Sequence, residues 1–127
     1  AESLHVSHRV HLLGYVEEEK KFQYLQNADL YVLSSLHEGF GIVLQEAMQV
    51  GLPVVSTNVG GQTDFLVEEE NALLVSPQES QKMAMAIGRL LEDVSLRSRM
   101  GIKNENDVKK FGVENICSRY LDIVRGK

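Results

Sequence analysis

The sequence predicts an α/β fold in which a parallel sheet carries helices on both faces. Four short runs are apolar at consecutive positions, which is typical of strands covered on both sides. Stretches with helical periodicity separate these runs, as in βαβ units. The expected strands cover residues 10–13, 30–33, 54–56 and 73–75.

Five helices are expected between and after these strands. Gly51 follows the second helix, and its freedom to adopt left-handed backbone angles suits a C-cap. Pro53 then prevents the helix from continuing and leads into the next strand. Ser80 is expected to cap the following helix with its hydroxyl. The helices are expected over residues 17–26, 41–50, 80–91, 96–110 and 113–124.

Three loops leave the carboxyl ends of the first three strands, and they read GYVEEEK, SLHEGFG and TNVGGQTDF. Right-handed crossovers between parallel strands would bring these loops to one edge of an open, Rossmann-like sheet. Ligands of such sheets bind beyond the carboxyl ends of the strands. A binding site is therefore expected at this edge.

Size, charge and cysteine content limit the classes of function. With 127 residues, of which 43% are hydrophobic, the chain can form one domain with a buried core. A formal net charge of −5 argues against a nucleic-acid surface, because binding to phosphate backbones needs clustered Lys and Arg. The single Cys117 cannot form a disulfide framework within the chain, which favours a reduced compartment.

Neither a membrane span nor a metal site is indicated. No run approaches the roughly 20 apolar residues that a span requires. The histidines at positions 5, 8, 11 and 37 lack the spacing of metal ligands, and no Asp-x-Asp pair occurs. Because the chain starts without Met and in mid-pattern, it is expected to be a piece of a longer protein.

The stretch HEGFGIVLQEAM, residues 37–48, joins a glycine-bracketed turn to a predicted helix. Gly39 and Gly41 permit close approach of the backbone to a ligand. The helix that begins near Gly41 presents unpaired N–H groups and a partial positive charge, which together make an anion site. A diphosphate could therefore bind the backbone amides of residues 40–43 even in an acidic protein.

Two glutamates flank this anion site. Glu46 is expected roughly 7 Å along the helix axis from the phosphate position. A carboxylate there could accept hydrogen bonds from two vicinal ribose hydroxyls, while Glu38 would face the group that the diphosphate carries. On periodicity alone, however, Glu46 belongs to a polar stripe with Gln45 and Gln49 that is expected to face solvent. Glu38 could likewise serve only as a negative charge near a helix N-terminus.

Resemblance to a known family favours the functional interpretation. The stretch SSLHEGFGIVLQEAMQVGLPVVSTNVGG, with its Glu-x7-Glu pair, resembles the signature of retaining glycosyltransferases of family 4, the glycosyl transferases group 1 set. The similarity continues through NALLVSPQESQKMAMAIGRLLEDVSLRSRMG. It implies that residues 1–127 form most of the C-terminal, nucleotide-sugar-binding half of a two-domain GT-B fold, and that the N-terminal acceptor domain is absent from the chain.

The resemblance also implies roles for individual residues. Glu38 contacts the transferred sugar and stabilises positive charge at its anomeric carbon. Backbone amides hold the diphosphate, Glu46 binds the ribose hydroxyls, and the first loop holds the nucleobase. The implied amides are those of Phe40, Gly41, Ile42 and Val43, and the implied nucleobase contacts are the Val16 backbone, Glu18 and Lys21.

Other positions of the motif are less clearly assigned. Gly60 and Gly61 match the family's paired glycines, which allow close approach to the donor, although tight packing of the turn is an alternative. Asp64 stands where many relatives have Glu, so its role stays open. His37 adjoins Glu38 and is more simply an incidental loop histidine. The resemblance implies no cofactor and no metal, with a nucleoside-diphosphate sugar as donor substrate.

The implied activity is transfer of a hexose to an acceptor hydroxyl with retention of configuration. The family's diphosphate-neutralising Arg and Lys precede the first expected strand, and the acceptor (saccharide, lipid or small molecule) binds the other domain. The isolated chain is therefore expected to be inactive. Two other classes stay open: a GT-B nucleotide-sugar epimerase or hydrolase, and a non-catalytic nucleotide-binding module. The expected location is the cytoplasm, with peripheral association at the inner face of the membrane as an open alternative.

Overall fold

Three parallel strands form one sheet in the computed structural model, which describes residues 7–34, 42–59 and 66–110. The strands are β1 (Tyr31–Leu33), β2 (Val54–Thr57) and β3 (Ala72–Val75), and β2 is central. Val55 of β2 pairs with Val32 on one side and with Leu73 on the other. The described helices are α1 (Glu18–Asn27), α2 (Ile42–Gln49), α3 (Ser80–Glu92) and α4 (Val94–Lys110), and a 3-10 turn covers Ser7–Arg9.

Helices cover both faces of the sheet. Successive residues of a strand point to opposite faces, so the fully buried Val54 and Val55 enter different apolar clusters. α2 and the end of α4 complete one cluster, which contains Leu44, Met48, Val54, Leu66, Ala72 and Val108. α3 and the start of α4 complete the other, which contains Val55, Leu73, Leu90, Leu96 and Met100. The predicted fold class is confirmed.

The described helices lie within one or two residues of their expected positions. Gly51 has a φ of 82° and its N–H donates to the carbonyl of Met48 at 3.0 Å, so it ends α2 in the left-handed conformation as expected. The prediction that Ser80 caps α3 is wrong. Ser80 is already the first helical residue, and Glu79 precedes it as the N-cap without a side-chain hydrogen bond. No helix in the described ranges is long and apolar enough to cross a bilayer.

The predicted strand over residues 10–13 does not form. These residues have no regular structure, and Leu12 is 95% exposed. A strand needs a neighbouring strand to satisfy its backbone groups, and no described strand pairs with this segment. The apolar pattern alone does not specify such a partner, which is why the prediction was wrong. The helix expected over residues 113–124 lies outside the described residues.

Candidate functional site

α2 begins at the edge of the sheet where the strands end. The chain leaves β1 after Leu33, and α2 runs antiparallel to the strands. The parallel strand β2 therefore begins beside the start of β1, at Tyr31. The first turn of α2, at Ile42 and the exposed Val43, has backbone N–H groups without partners inside the helix. An anion at this edge would meet both these N–H groups and the positive end of the helix dipole.

Hydroxyl groups from all three strands gather at the same edge. Ser34 follows β1, Thr57 ends β2 and Ser76 follows β3. Together with residues at the start of α3 they line a cavity of about 290 Å³. The carboxyl ends of the strands therefore share one rim, as the parallel arrangement predicted.

Glu46 is buried inside the protein. Its exposed fraction is 0%, and that of the neighbouring Gln45 is 2%. α1 packs over this side of α2, and its Leu25 shares an apolar cluster with Ala47 and Leu52. The interpretation of this stripe as solvent-facing is therefore wrong, because it took account only of the residues of α2 itself.

Lys21 links Glu46 to Glu18. Its Nζ lies 3.3 Å from Oε1 of Glu46, 3.2 Å from Oε2 of Glu46 and 2.8 Å from Oε2 of Glu18. The side chain of Lys21 is 22% exposed, and that of Glu18 is 39% exposed. Three of the residues that the sequence suggested for donor binding therefore meet at one point between α1 and α2.

Burial and ion pairing shift the pKa values of Glu46 and Lys21. Burial raises the pKa of Glu46 above its ordinary value, although the Lys21 ammonium acts in the opposite direction. Burial alone would lower the pKa of Lys21, but its hydrogen bonds to Glu18 and Glu46 and their charges raise it. Lys21 therefore stays charged at neutral pH. The cluster combines two acidic side chains with one basic side chain, and carboxylate oxygens can accept hydrogen bonds from hydroxyl groups.

A second cavity lies beside the loop that was expected to hold a nucleobase. Its volume is about 330 Å³, and it is lined by Leu13, Tyr15, Val16, Glu17, Lys20 and Tyr24. Both tyrosines are exposed, so a flat ligand could stack on either ring. The sequence reasoning did not select these tyrosines, although the position of Tyr15 directly before Val16 was a usable signal.

Several predicted site residues lie outside the described ranges. They are Glu38, Phe40, Gly41, Gly60 and Gly61, together with His37 and Asp64. Of the described candidates, Glu18, Lys21 and Glu46 are in contact, whereas Val16 borders the tyrosine-lined cavity. Within residues 7–34, 42–59 and 66–110, no group of three or more His, Cys, Asp or Glu side chains could hold a metal ion.

Comparison of the sequence with protein families gives a match to the family described as "Glycosyl transferases group 1" over residues 1–107. The chain is also 36% identical over 128 residues to the lipopolysaccharide core biosynthesis glycosyltransferase LpsE of Rhizobium meliloti. This alignment covers 100% of this chain and 37% of that protein. It spans about a third of the length of the relatives that it matches.

Solved structures give the same result. Sucrose-phosphate synthase from Thermosynechococcus elongatus superposes with a TM-score of 0.83 at 32% identity, over 98% of this chain and 32% of that one. Anabaena HepE, solved in complex with UDP-glucose, superposes with a TM-score of 0.81 at 27% identity, over 99% of this chain and 35% of that one. The expected resemblance to the C-terminal domain of a GT-B glycosyltransferase is confirmed. The chain belongs to the glycosyl transferases group 1 family.

Proposed function

We propose that this chain is the donor-binding part of a retaining glycosyltransferase that transfers a hexose from a nucleoside-diphosphate sugar to an acceptor hydroxyl. The observation that carries the proposal is the buried Glu46 carboxylate, which Lys21 holds beside the first turn of α2. A buried acid is costly unless it is paired. Burial excludes a surface stripe, and Lys21 supplies the pairing that this burial needs. Membership of the family and the likeness to a UDP-glucose complex support it.

The start of α2 is assigned to the diphosphate. The N–H groups of its first turn have no partners within the helix, and together with the helix dipole they favour an anion without a basic surface. Glu46 comes four residues after Ile42, which puts it about 6 Å further along the axis at 1.5 Å per residue. This spacing suits a ribose attached to the diphosphate, whose two hydroxyls a carboxylate can accept together.

The remaining parts of the donor are assigned to the two ends of this site. The nucleobase binds by the Val16 backbone in the tyrosine-lined cavity, where Tyr15 or Tyr24 can stack on it. The hexose lies on the opposite side of the diphosphate, where Glu38 contacts it, and Gly60 and Gly61 allow its close approach. These three residues enter on sequence resemblance alone.

In the proposed reaction the bond between the anomeric carbon and the diphosphate oxygen breaks, and a bond to the acceptor oxygen forms on the same face of the sugar. The diphosphate leaves with both bonding electrons and takes up the proton that the acceptor hydroxyl loses. Electrostatic stabilisation of the leaving group by the α2 terminus lowers the barrier, and Glu38 stabilises the charge at the anomeric carbon. The acceptor site belongs to the rest of the protein, so the 127-residue chain by itself is inactive. The reaction takes place in the cytoplasm without a cofactor.

Calorimetric titration of the protein at its full natural length with UDP, GDP and ADP tests donor binding. We expect one nucleoside diphosphate to bind, and Glu46→Gln to weaken that binding about tenfold or more, because a hydrogen bond to a charged acceptor contributes roughly 1.5–3 kcal/mol. Glu19→Gln removes an exposed acid on the neighbouring helix α1 and serves as the control.

Failure of all three nucleotides to bind would exclude a nucleotide-sugar site. Product analysis then separates the classes of activity. Transfer to an added acceptor supports the proposal, whereas epimerised or hydrolysed donor favours the GT-B epimerase or hydrolase. Tight nucleotide binding without any turnover of nucleotide sugars favours the non-catalytic module.

A further inference from the structure

We propose that Lys21 is a positioning residue that keeps the Glu46 carboxylate charged and correctly oriented for ribose, and does not itself bind the nucleobase. The inference rests on the proposed function, in which Glu46 receives the ribose. It changes the role that sequence resemblance gave to Lys21. The contacts of Lys21 with Glu46, the burial of Glu46 and the packing of α1 against α2 each support it.

The first support is geometric. Lys21 Nζ lies at nearly equal distances from the two carboxylate oxygens of Glu46, 3.3 Å and 3.2 Å. The ammonium donates to Oε1 and lies beside Oε2, which has no hydrogen-bond partner among the described residues. This contact restricts rotation of the carboxylate about its last bond. A carboxylate that must accept two vicinal hydroxyls benefits from this restriction, because less conformational freedom is lost on binding.

The second support is the packing that holds Lys21 in place. Phe22 follows Lys21 directly and is buried, and Leu25 lies one helical turn further on in the cluster with Ala47 and Leu52. The cluster of Leu25 with Ala47 and Leu52 joins α1 to α2, so moving α1 away from Glu46 would expose apolar surface. A surface lysine free to follow a ligand would lack such an anchor.

The third support is electrostatic. Among the described residues, the charged groups that act on Glu46 are Lys21 and Glu18, both on α1. Lys21 favours the ionised form of Glu46, whereas burial and the like charge of Glu18 oppose it. If Lys21 were replaced by a neutral residue, only burial and the like charge of Glu18 would act on the pKa of Glu46. Its pKa would then rise further.

Protonation of Glu46 would weaken ribose recognition. An ionised carboxylate only accepts hydrogen bonds, whereas a protonated carboxyl uses one oxygen as a donor and accepts fewer. The sign of the pH effect follows from this difference. Ribose recognition is complete above the pKa of Glu46 and declines as pH falls through it, so raising that pKa moves the decline toward neutral pH.

The test compares whichever of UDP, GDP and ADP binds with its 2′-deoxy form, by calorimetry from about pH 5 to pH 8, a range that covers raised carboxylate pKa values. The measured quantity is the ratio of their affinities, in which the titration of the shared diphosphate cancels. For Lys21→Met we expect this ratio to fall as pH is lowered, by up to about tenfold per pH unit below the pKa of Glu46. The unaltered protein should show the same fall only at lower pH.

Matched variants make the result specific. Lys109→Met removes an exposed lysine of α4 and should behave as the unaltered protein. Lys21→Arg keeps the charge and should retain most of the ribose preference. Glu18→Gln removes the like charge and should move the decline to lower pH, opposite to Lys21→Met. This opposite shift keeps the test decisive if Lys21→Met fails to fold.

The experiment distinguishes failure of the positioning role from failure of the proposed function. If the unaltered protein binds one of these nucleoside diphosphates but Lys21→Met shows the same pH profile of the ratio, the positioning role is excluded and the proposed function stands. If the unaltered protein binds no nucleotide, both fall. Carboxyl carbon NMR of Glu46 gives a direct check, because an equal pKa with and without Lys21 would also overturn the inference.

Discussion

Buried polar side chains on one helix differ in how they are satisfied. Glu46 has the Lys21 ammonium against its carboxylate. Gln45, its neighbour and almost as fully buried, has no hydrogen-bond partner for its side-chain nitrogen or oxygen among the described residues. A buried amide without partners costs free energy of folding. Glu46 is thus compensated by an ion pair, although its Oε2 has no hydrogen-bond partner among the described residues, whereas Gln45 has no such compensation there.

Gln45→Met is expected to stabilise the protein. Methionine has a similar shape and no polar group to leave unsatisfied, so the free energy of unfolding should rise by about 1 kcal/mol. Urea denaturation measures the change, and Gln23→Met on an exposed position of α1 is the control. A loss of stability or of nucleotide binding would instead reveal a partner for the Gln45 amide.

α4 is attached to the sheet by polar contacts as well as by apolar packing. The side-chain amide of the fully buried Asn104 donates to the carbonyls of Leu52 at 2.8 Å and Asn71 at 3.0 Å. These carbonyls lie just before β2 and β3, at the edge opposite the ligand rim. Asn71 also donates to Asp107 of the same helix at 3.3 Å. The helix thus fixes the points at which both strands begin.

Asn104→Leu is expected to destabilise the protein by roughly 1–3 kcal/mol, because the carbonyls of Leu52 and Asn71 would lose a buried donor. Asn106→Leu, on the exposed side of the same helix, should cost far less. Equal effects of the two substitutions in urea denaturation would show that the contacts of Asn104 contribute no net stability.

Two helical glycines should respond to alanine in opposite ways. A Cβ on Gly101 of α4 would overlap the carbonyl oxygen of Gly51, whereas a Cβ on Gly88 of α3 would meet no atom within 4 Å. Gly88→Ala should therefore gain up to about 1 kcal/mol from helix propensity. Gly101→Ala should lose stability and lower the melting temperature, because two backbones must separate. A stabilising Gly101→Ala would disprove this close approach.

The whole molecule shows which properties the amino-acid pattern could predict. Strands buried on both faces have apolar residues at every position, so the α/β class and the helix positions were predictable from local sequence. Two features were not, because they depend on distant partners. Residues 10–13 have the composition of a strand but no described neighbour to pair with, and Glu46 looks solvent-facing until α1 is placed over it.

Glu46 was identified as the ribose candidate from the spacing of its motif and from the family resemblance. Helical periodicity alone had indicated that it faces solvent. Its partner Lys21 was selected for a different role, because sequence spacing cannot show that α1 and α2 pack together. The contact between residues 21 and 46 is therefore a result of the fold. Tyr15 of the neighbouring cavity, by contrast, could have been selected from its position directly before Val16.

The placement of α4 has a consequence for how the domain comes apart. Its first half contributes Leu96 and Met100 to one apolar cluster, and its second half contributes Val108 to the other. Detaching this one helix would uncover both sides of the sheet together. Partial opening limited to one side is therefore disfavoured, and the two layers should melt in a single cooperative step.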